Sequence, residues 1–194
     1  MDIEIRADGL HISGYVNVTE KKSRPVITPH GKVIEEIEPR AFEKALERAE
    51  NISLTKDHRE EIVLAETRAG NLELYEDNIG LHYSTTITDE QTIAEARAGK
   101  IKGLSFGMFN VVDTIEQRAD ELPIRKISAL DLDHITLVVN KQPCYSATSV
   151  EIRAENEIDI ETRAIESVPK ITDSTPKYDN TEYKNRIAKL KLIK

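Results

Sequence analysis

Residues 103–112 read Gly103-Leu104-Ser105-Phe106-Gly107-Met108-Phe109-Asn110-Val111-Val112. The first five match Gly-x-Ser-x-Gly, the pattern of the strand–turn–helix elbow that presents the nucleophile of α/β-hydrolases. An elbow needs a helix directly after the serine. Here a strand-like run continues to Val112, and a second, Arg125 to Val139, follows it. The hydrolase chain order also puts the histidine last, behind an acid. That fold is excluded, and a serine between glycines in a β-ribbon remains.

Working outward, the same period dominates the rest of the first 150 residues. Ile3-Glu4-Ile5 and Leu10 to Val16 alternate apolar and polar residues, with Asp8-Gly9 as a hairpin signal between them. Val33 to Glu38, Ile52 to Leu54, Ile62 to Leu64, Leu72 to Tyr75 and Leu81 to Ile87 read as further strands, and residues 21–32, with two prolines, as a loop. Two helices interrupt them. Pro39 opens the first, whose Phe42, Ala45, Leu46 and Ala49 fall at i, i+3, i+4 and i+7. Asp89 to Ala98 forms the second, capped by Thr88 or Asp89 and ended by Gly99. Short strands with turn signals between them predict a mainly β, α+β domain: a small antiparallel barrel or sandwich with peripheral helices.

The character changes after Ile152. Residues 1–152 form the expected domain, and 153–194 read as a flexible charged tail with a basic end. Ile187, Leu190 and Ile193 recur every third position there, compatible with a short basic amphipathic helix.

Composition narrows the classes. The chain has 194 residues, 27 basic against 35 acidic side chains, a net charge of −8, 39% hydrophobic residues and no tryptophan. One domain with an aliphatic core fits that length. Acidic balance argues against nucleic acid as the main partner, since phosphate binding needs concentrated positive charge. No run of ~18 apolar residues predicts a membrane helix, and no charged-then-apolar start predicts a secretory signal. Cys144 is the only cysteine, which excludes an internal disulfide. It lies beside Pro143 with no activating neighbour and reads as inert.

The candidate chemistry rests on Ser105, on His58 after the strand that ends near Asp57, and on His134 in Leu132-Asp133-His134-Ile135-Thr136-Leu137. A Ser–His pair needs a third group to hold the imidazole tautomer and stabilise its charge. A metal held by His58, His134 and Asp133 is conceivable, but no ligand spacing supports it. No metal and no cofactor is therefore expected. His11, His30 and His82 show only strand or surface placement.

These residues carry a resemblance. Gly14-Tyr15-Val16, Ile37-Glu38-Pro39-Arg40-Ala41-Phe42, Asp57-His58 before Val63-Leu64-Ala65, Leu72 to Leu74, Gly80-Leu81, Gly103 to Gly107 and His134 to Val138 leading to Pro143 recur in order and spacing. Over residues 10–150 the chain resembles the prohead (capsid maturation) proteases of tailed bacteriophages, similar in fold to the herpesvirus assembly protease. The resemblance implies a barrel of that type, Ser105 as nucleophile and His58 as general base. The family's third member is commonly a glutamate, and here that position is His134, as in the Ser–His–His triad of the herpesvirus enzymes. Asp133 is the alternative third member, and strand alternation, which sends neighbours to opposite faces, lets only one of the two orient His58. A histidine there implies a slow enzyme, since neutral imidazole stabilises an imidazolium less than a carboxylate does.

The implied partner is the major capsid protein, with scaffold or the delta segment as substrate and self-association as an optional further contact. No nucleic acid is required and no membrane is involved. The implied setting is the host cytoplasm, inside the assembling procapsid. Two alternatives remain: a non-catalytic scaffold or morphogenesis factor of the same fold, and an unrelated β-barrel binding module.

One pattern belongs to this chain alone. Glu-x-Arg-Ala begins at Glu4, Glu66, Glu95, Glu116, Glu151 and Glu161. Composition alone gives roughly 0.1 occurrence. Helix-forming composition accounts for Glu95 but poorly for Glu4 and Glu66, which lie in or beside strands. The pattern is expected to be the enzyme's own recognition sequence, cut first at Glu151 to Ala154 and Glu161 to Ala164, where a flexible chain can bind extended.

Overall fold

Alternation is what builds the first sheet. In a computed structural model, which describes residues 1–28, 31–139, 150–153, 158–166 and 169–176, β1 (Asp2–Arg6) and β2 (Gly9–Val18) form an antiparallel hairpin. Ile3, Ile5, Leu10, Ile12 and Val16 are buried along it. Gly9 is required at the turn: its φ is +147°, and a Cβ there would stand 2.8 Å from the Ile87 carbonyl oxygen. β7 (Leu72–Glu76) and β8 (Gly80–Ile87) continue this sheet, and β13 (Lys170–Asp173) closes its other side. The order is β13-β1-β2-β8-β7.

The second sheet is larger and carries the serine. It contains β3 (Val26–Thr28), β4 (Gly31–Ile37), β5 (Ser53–Lys56), β6 (Arg59–Glu66), β9 (Gly103–Glu116), β10 (Ile124–Val138), β11 (Val150–Arg153) and β12 (Ile158–Glu166). The long antiparallel β9–β10 ribbon is its spine. On its far edge β10 pairs in parallel with β4 at Ile124 to Ile127 and with β5 at His134 to Leu137. Three register shifts interrupt the ribbon, between Ile127 and Ala129, Ala129 and Asp131, and Leu132 and His134. Such bulges bend a strand and raise its twist.

Two helices flank the sheets. In α1 (Ala41–Arg48) Ala41, Phe42 and Ala45 are buried, and the Phe42 ring meets Phe106 edge-on with centroids 5.7 Å apart, a favoured aromatic geometry. In α2 (Glu90–Arg97) the Asp89 carboxylate caps the helix, accepting from the Thr92 amide at 2.7 Å. One core cluster includes residues of both sheets and both helices. No helix among the described residues is long and apolar enough to cross a membrane.

The structure differs from the sequence reading at three points. Among the described residues neither sheet closes into a barrel. Nor is the pairing wholly antiparallel, because β1–β13, β4–β10 and β5–β10 run parallel. Finally, residues 158–166 and 170–173, within the stretch read as flexible, form strands. Glu161 and Arg163 fill inward positions there, so apolar periodicity is lost while the extended backbone is kept. The basic end at 184–194, His30 and Cys144 lie outside the described residues.

Candidate active site

Period-two geometry brings three residues to one face. Ser105 on β9 stands opposite Thr136 on β10, and His134 stands opposite Gly107. Cross-strand partners share a face, and so do residues two apart along a strand. Ser105, Thr136 and His134 therefore point the same way.

His58 reaches them from the two-residue turn between β5 and β6, where Lys56 pairs with Arg59. Asp57 and His58 have φ of 53° and 58°. A two-residue hairpin turn with both central residues left-handed ordinarily selects Asn-Gly or Asp-Gly. Two side chains in that region cost on the order of 1 kcal/mol each or more. Local bonds hold the turn against that cost. The Asp57 amide donates to the Leu137 carbonyl at 3.0 Å and its carboxylate accepts from the Val139 amide at 2.7 Å. The His58 amide donates to Thr136 Oγ1 at 3.0 Å. Thr136, which sequence reasoning overlooked, thus ties the His58 backbone to the strand position opposite Ser105.

The imidazoles form a chain. His58 Nδ1 lies 3.0 Å from His134 Nε2, and the rings stand nearly perpendicular at 83°. His134 Nδ1 lies 2.6 Å from Asp133 Oδ2. For neutral imidazoles this network fixes the tautomers. The carboxylate accepts the proton of His134 Nδ1, so His134 Nε2 is an acceptor for His58 Nδ1–H. His58 Nε2 then carries the lone pair, the form of a general base.

The sequence argument made Asp133 and His134 exclusive, because a regular strand sends neighbours to opposite faces. At this point the strand is not regular. Leu132 pairs with Met108 and His134 with the adjacent Gly107, so Asp133 is the extra residue of a bulge. Asp133 thus contacts His134 and His134 contacts His58, in series.

Ser105 is fully buried. β12 covers it: Ala164 is its register partner and Arg163 that of Phe106. The Ser105 hydroxyl donates to the Arg163 carbonyl at 2.8 Å. Beyond it lies a buried charge cluster that sequence reading did not find. The Arg163 guanidinium pairs with Glu35, at 2.6 Å from Nη2 to Oε1, and with Glu161. Arg125 holds Glu161 through two bonds, Nη1 to Oε2 at 2.6 Å and Nη2 to Oε1 at 2.9 Å. Its Nη1 also meets Glu35 Oε1 at 2.9 Å, and its Nε meets Asp113 Oδ2 at 2.5 Å.

These charges make β12 sensitive to acid. Burial pushes the Glu161 carboxyl up, but the bonds to Arg125 and the charges of Arg163 and Arg125 outweigh it and hold it below its ordinary 4.5. A carboxyl depressed by folding stabilises fully above its unfolded value and loses that contribution as pH falls through the folded one. The expected result is a Tm that declines below about pH 4.5, with a shallower decline in Glu161→Gln. Equal pH dependence in the two proteins, measured by thermal melts between pH 6 and pH 3, would reverse the assignment.

Among the described residues no group of three or more His, Cys, Asp or Glu side chains is placed to hold a metal ion. A family model described as caudovirus prohead serine protease matches residues 1–163. No curated protein and no solved structure gives a match.

Proposed function

Because the chain belongs to the caudovirus prohead serine protease family, we propose that it cleaves scaffold or the delta segment of the major capsid protein within the assembling procapsid, with Ser105 as nucleophile, His58 as general base, and its own tail as a further substrate. The observation that carries the site assignment is the Asp133–His134–His58 chain, which leaves His58 Nε2 unprotonated on the face of Ser105. In this mechanism His58 Nε2 takes the hydroxyl proton as Ser105 Oγ attacks the peptide carbonyl. The proton passes to the leaving amine, and water activated by the same nitrogen releases the acyl group. The herpesvirus-type barrel stays part of this reading in a modified form: bulges curl the β9–β10 ribbon, and side-chain contacts from Arg125 to Glu161 link its far end to β12.

The reading is tested by co-expressing the enzyme with its capsid protein and mapping the capsid protein's termini by mass spectrometry. Shortening of the capsid protein supports it; intact capsid protein, with no labelling of Ser105 by a fluorophosphonate, leaves the scaffold role in its place.

His134 and Asp133 are positioning residues, and their expected effects are graded. His134→Ala should lower kcat by about 10²-fold and Asp133→Asn by about tenfold, with KM little changed. A merely structural role would instead lower Tm and leave the pH–rate profile of the remaining activity unmoved. An Asp133→Asn loss larger than that of His134→Ala in a peptide-cleavage assay would put the carboxylate in direct contact with the base.

A further inference from the structure

The segment lying over Ser105 is Glu161-Thr162-Arg163-Ala164, one of the six Glu-x-Arg-Ala sequences. It is held as an extended strand in antiparallel register with β9. This is how a protease presents a peptide, because main-chain pairing gives affinity and alternate side chains enter pockets. The carbonyl beside the serine hydroxyl belongs to Arg163, so the bond presented is Arg163–Ala164. The two invariant charged positions of the motif are the ones the protein grips: Arg163 by Glu35, and Glu161 by Arg125.

We propose that the site recognises Glu-x-Arg-Ala and cuts after the arginine, with Glu35 reading the arginine, Arg125 reading the glutamate, and β12 being the chain's own copy seated in the cleft. This rests on the protease reading above. Cleavage forms a Ser105 Oγ–Arg163 carbonyl carbon bond as the bond to the Ala164 nitrogen breaks. The hydroxyl proton goes through His58 to the new Ala164 amine, and water then yields the Arg163 carboxylate.

Burial and charge explain why these two positions are the discriminating ones. Glu35, Arg125, Glu161 and Arg163 are each buried. Ions in such a place are costly unless fully paired, and apolar residues of similar volume would serve a purely structural role at least as well. Asp113 fixes the Nε edge of Arg125, which turns the other edge of the guanidinium toward the incoming carboxylate for fork-on-fork pairing. A peptide with the charges exchanged would set arginine on Arg125 and glutamate on Glu35, a buried like-charge clash at both sites. The middle residue is Ile, Thr, Ala or Gln across the six copies.

The test uses the full-length chain. Purified enzyme is incubated and its termini are mapped. Internally quenched octapeptides containing Glu-Thr-Arg-Ala, Gln-Thr-Arg-Ala, Glu-Thr-Gln-Ala or Arg-Thr-Glu-Ala are assayed alongside, with fluorophosphonate labelling of Ser105. The expected results are a first new N-terminus at Ala164 and a kcat/KM for the Glu-Thr-Arg-Ala peptide on the order of 10²-fold above the single replacements, with the exchanged peptide uncut. In Glu35→Gln that preference over the Glu-Thr-Gln-Ala peptide should shrink at least tenfold, an effect that loss of stability alone would not produce. Equal cleavage of all four peptides, or new termini unrelated to the motif, overturns the recognition while the protease reading stands. Absence of both labelling and cleavage overturns the two together.

Discussion

Ser105→Ala is expected to reduce capsid-protein cleavage by about 10⁴-fold or more, and His58→Ala by a similar factor, because nucleophile and base act as a unit. The fold should survive. Ser105 contributes one neutral hydrogen bond to the Arg163 carbonyl, so its loss costs roughly 1 kcal/mol. His58 holds its turn through its main-chain amide, which alanine retains. Doubling the two changes should add almost nothing to either alone. Wild-type cleavage by Ser105→Ala, followed by gel and mass spectrometry in co-expressing cells, would remove the serine from the reaction. Additive losses in the double variant would separate the two residues' roles.

The largest expected effect on stability comes from Lys56, next to that turn. Its side chain is only 2% exposed, with its ammonium 2.5 Å from Glu95 Oε2 on α2. The approach is off the line of a well-directed hydrogen bond, which leaves Oε2 without one, so charge attraction is what couples the turn to the helix. Removing one partner strands a buried charge, which costs about 3–5 kcal/mol. Lys56→Met should therefore lower Tm by roughly 6–20 °C in a domain of this size. Lys56→Met with Glu95→Leu should recover much of the loss, because an apolar pair needs no desolvation of ions. A Tm within a degree or two of wild type for the single variant would show that the pair is solvated.

How much of this was legible in sequence follows from where each signal resides. The β1–β2 hairpin and α1 were readable because alternation and the i, i+3, i+4 spacing are local. Asp89 and Gly99 bounded α2 for the same reason. Ser105 stood out through its glycines, and His58 through its place at a strand end. The bulge at Asp133 was missed because it depends on the register of the partner strand, which no local pattern reveals. Glu35, Arg125, Glu161 and Arg163 were missed because charged residues in a strand read as its wet face. The bonds that join β4, β10 and β12 span 36 to 128 residues. The repetition of Glu-x-Arg-Ala was the one trace, and it touched only Glu161 and Arg163.

The pairing of β1 with β13 has a consequence for how the chain is made. Asp2 lies opposite Lys170, so β1 leaves the ribosome well before its partner β13. At 5–20 residues per second that interval is on the order of 10–30 s. Through it the outer edge of β1 has no strand beside it, and that of β9 at Gly103 to Met108 has none from its own synthesis until β12 follows; unpaired edges invite other chains. β12 and β13 arrive within seconds of each other and close both edges. The nascent chain thus carries an open serine edge while residues 109–157 are made, and β12 and β13 act as a cover fitted afterwards.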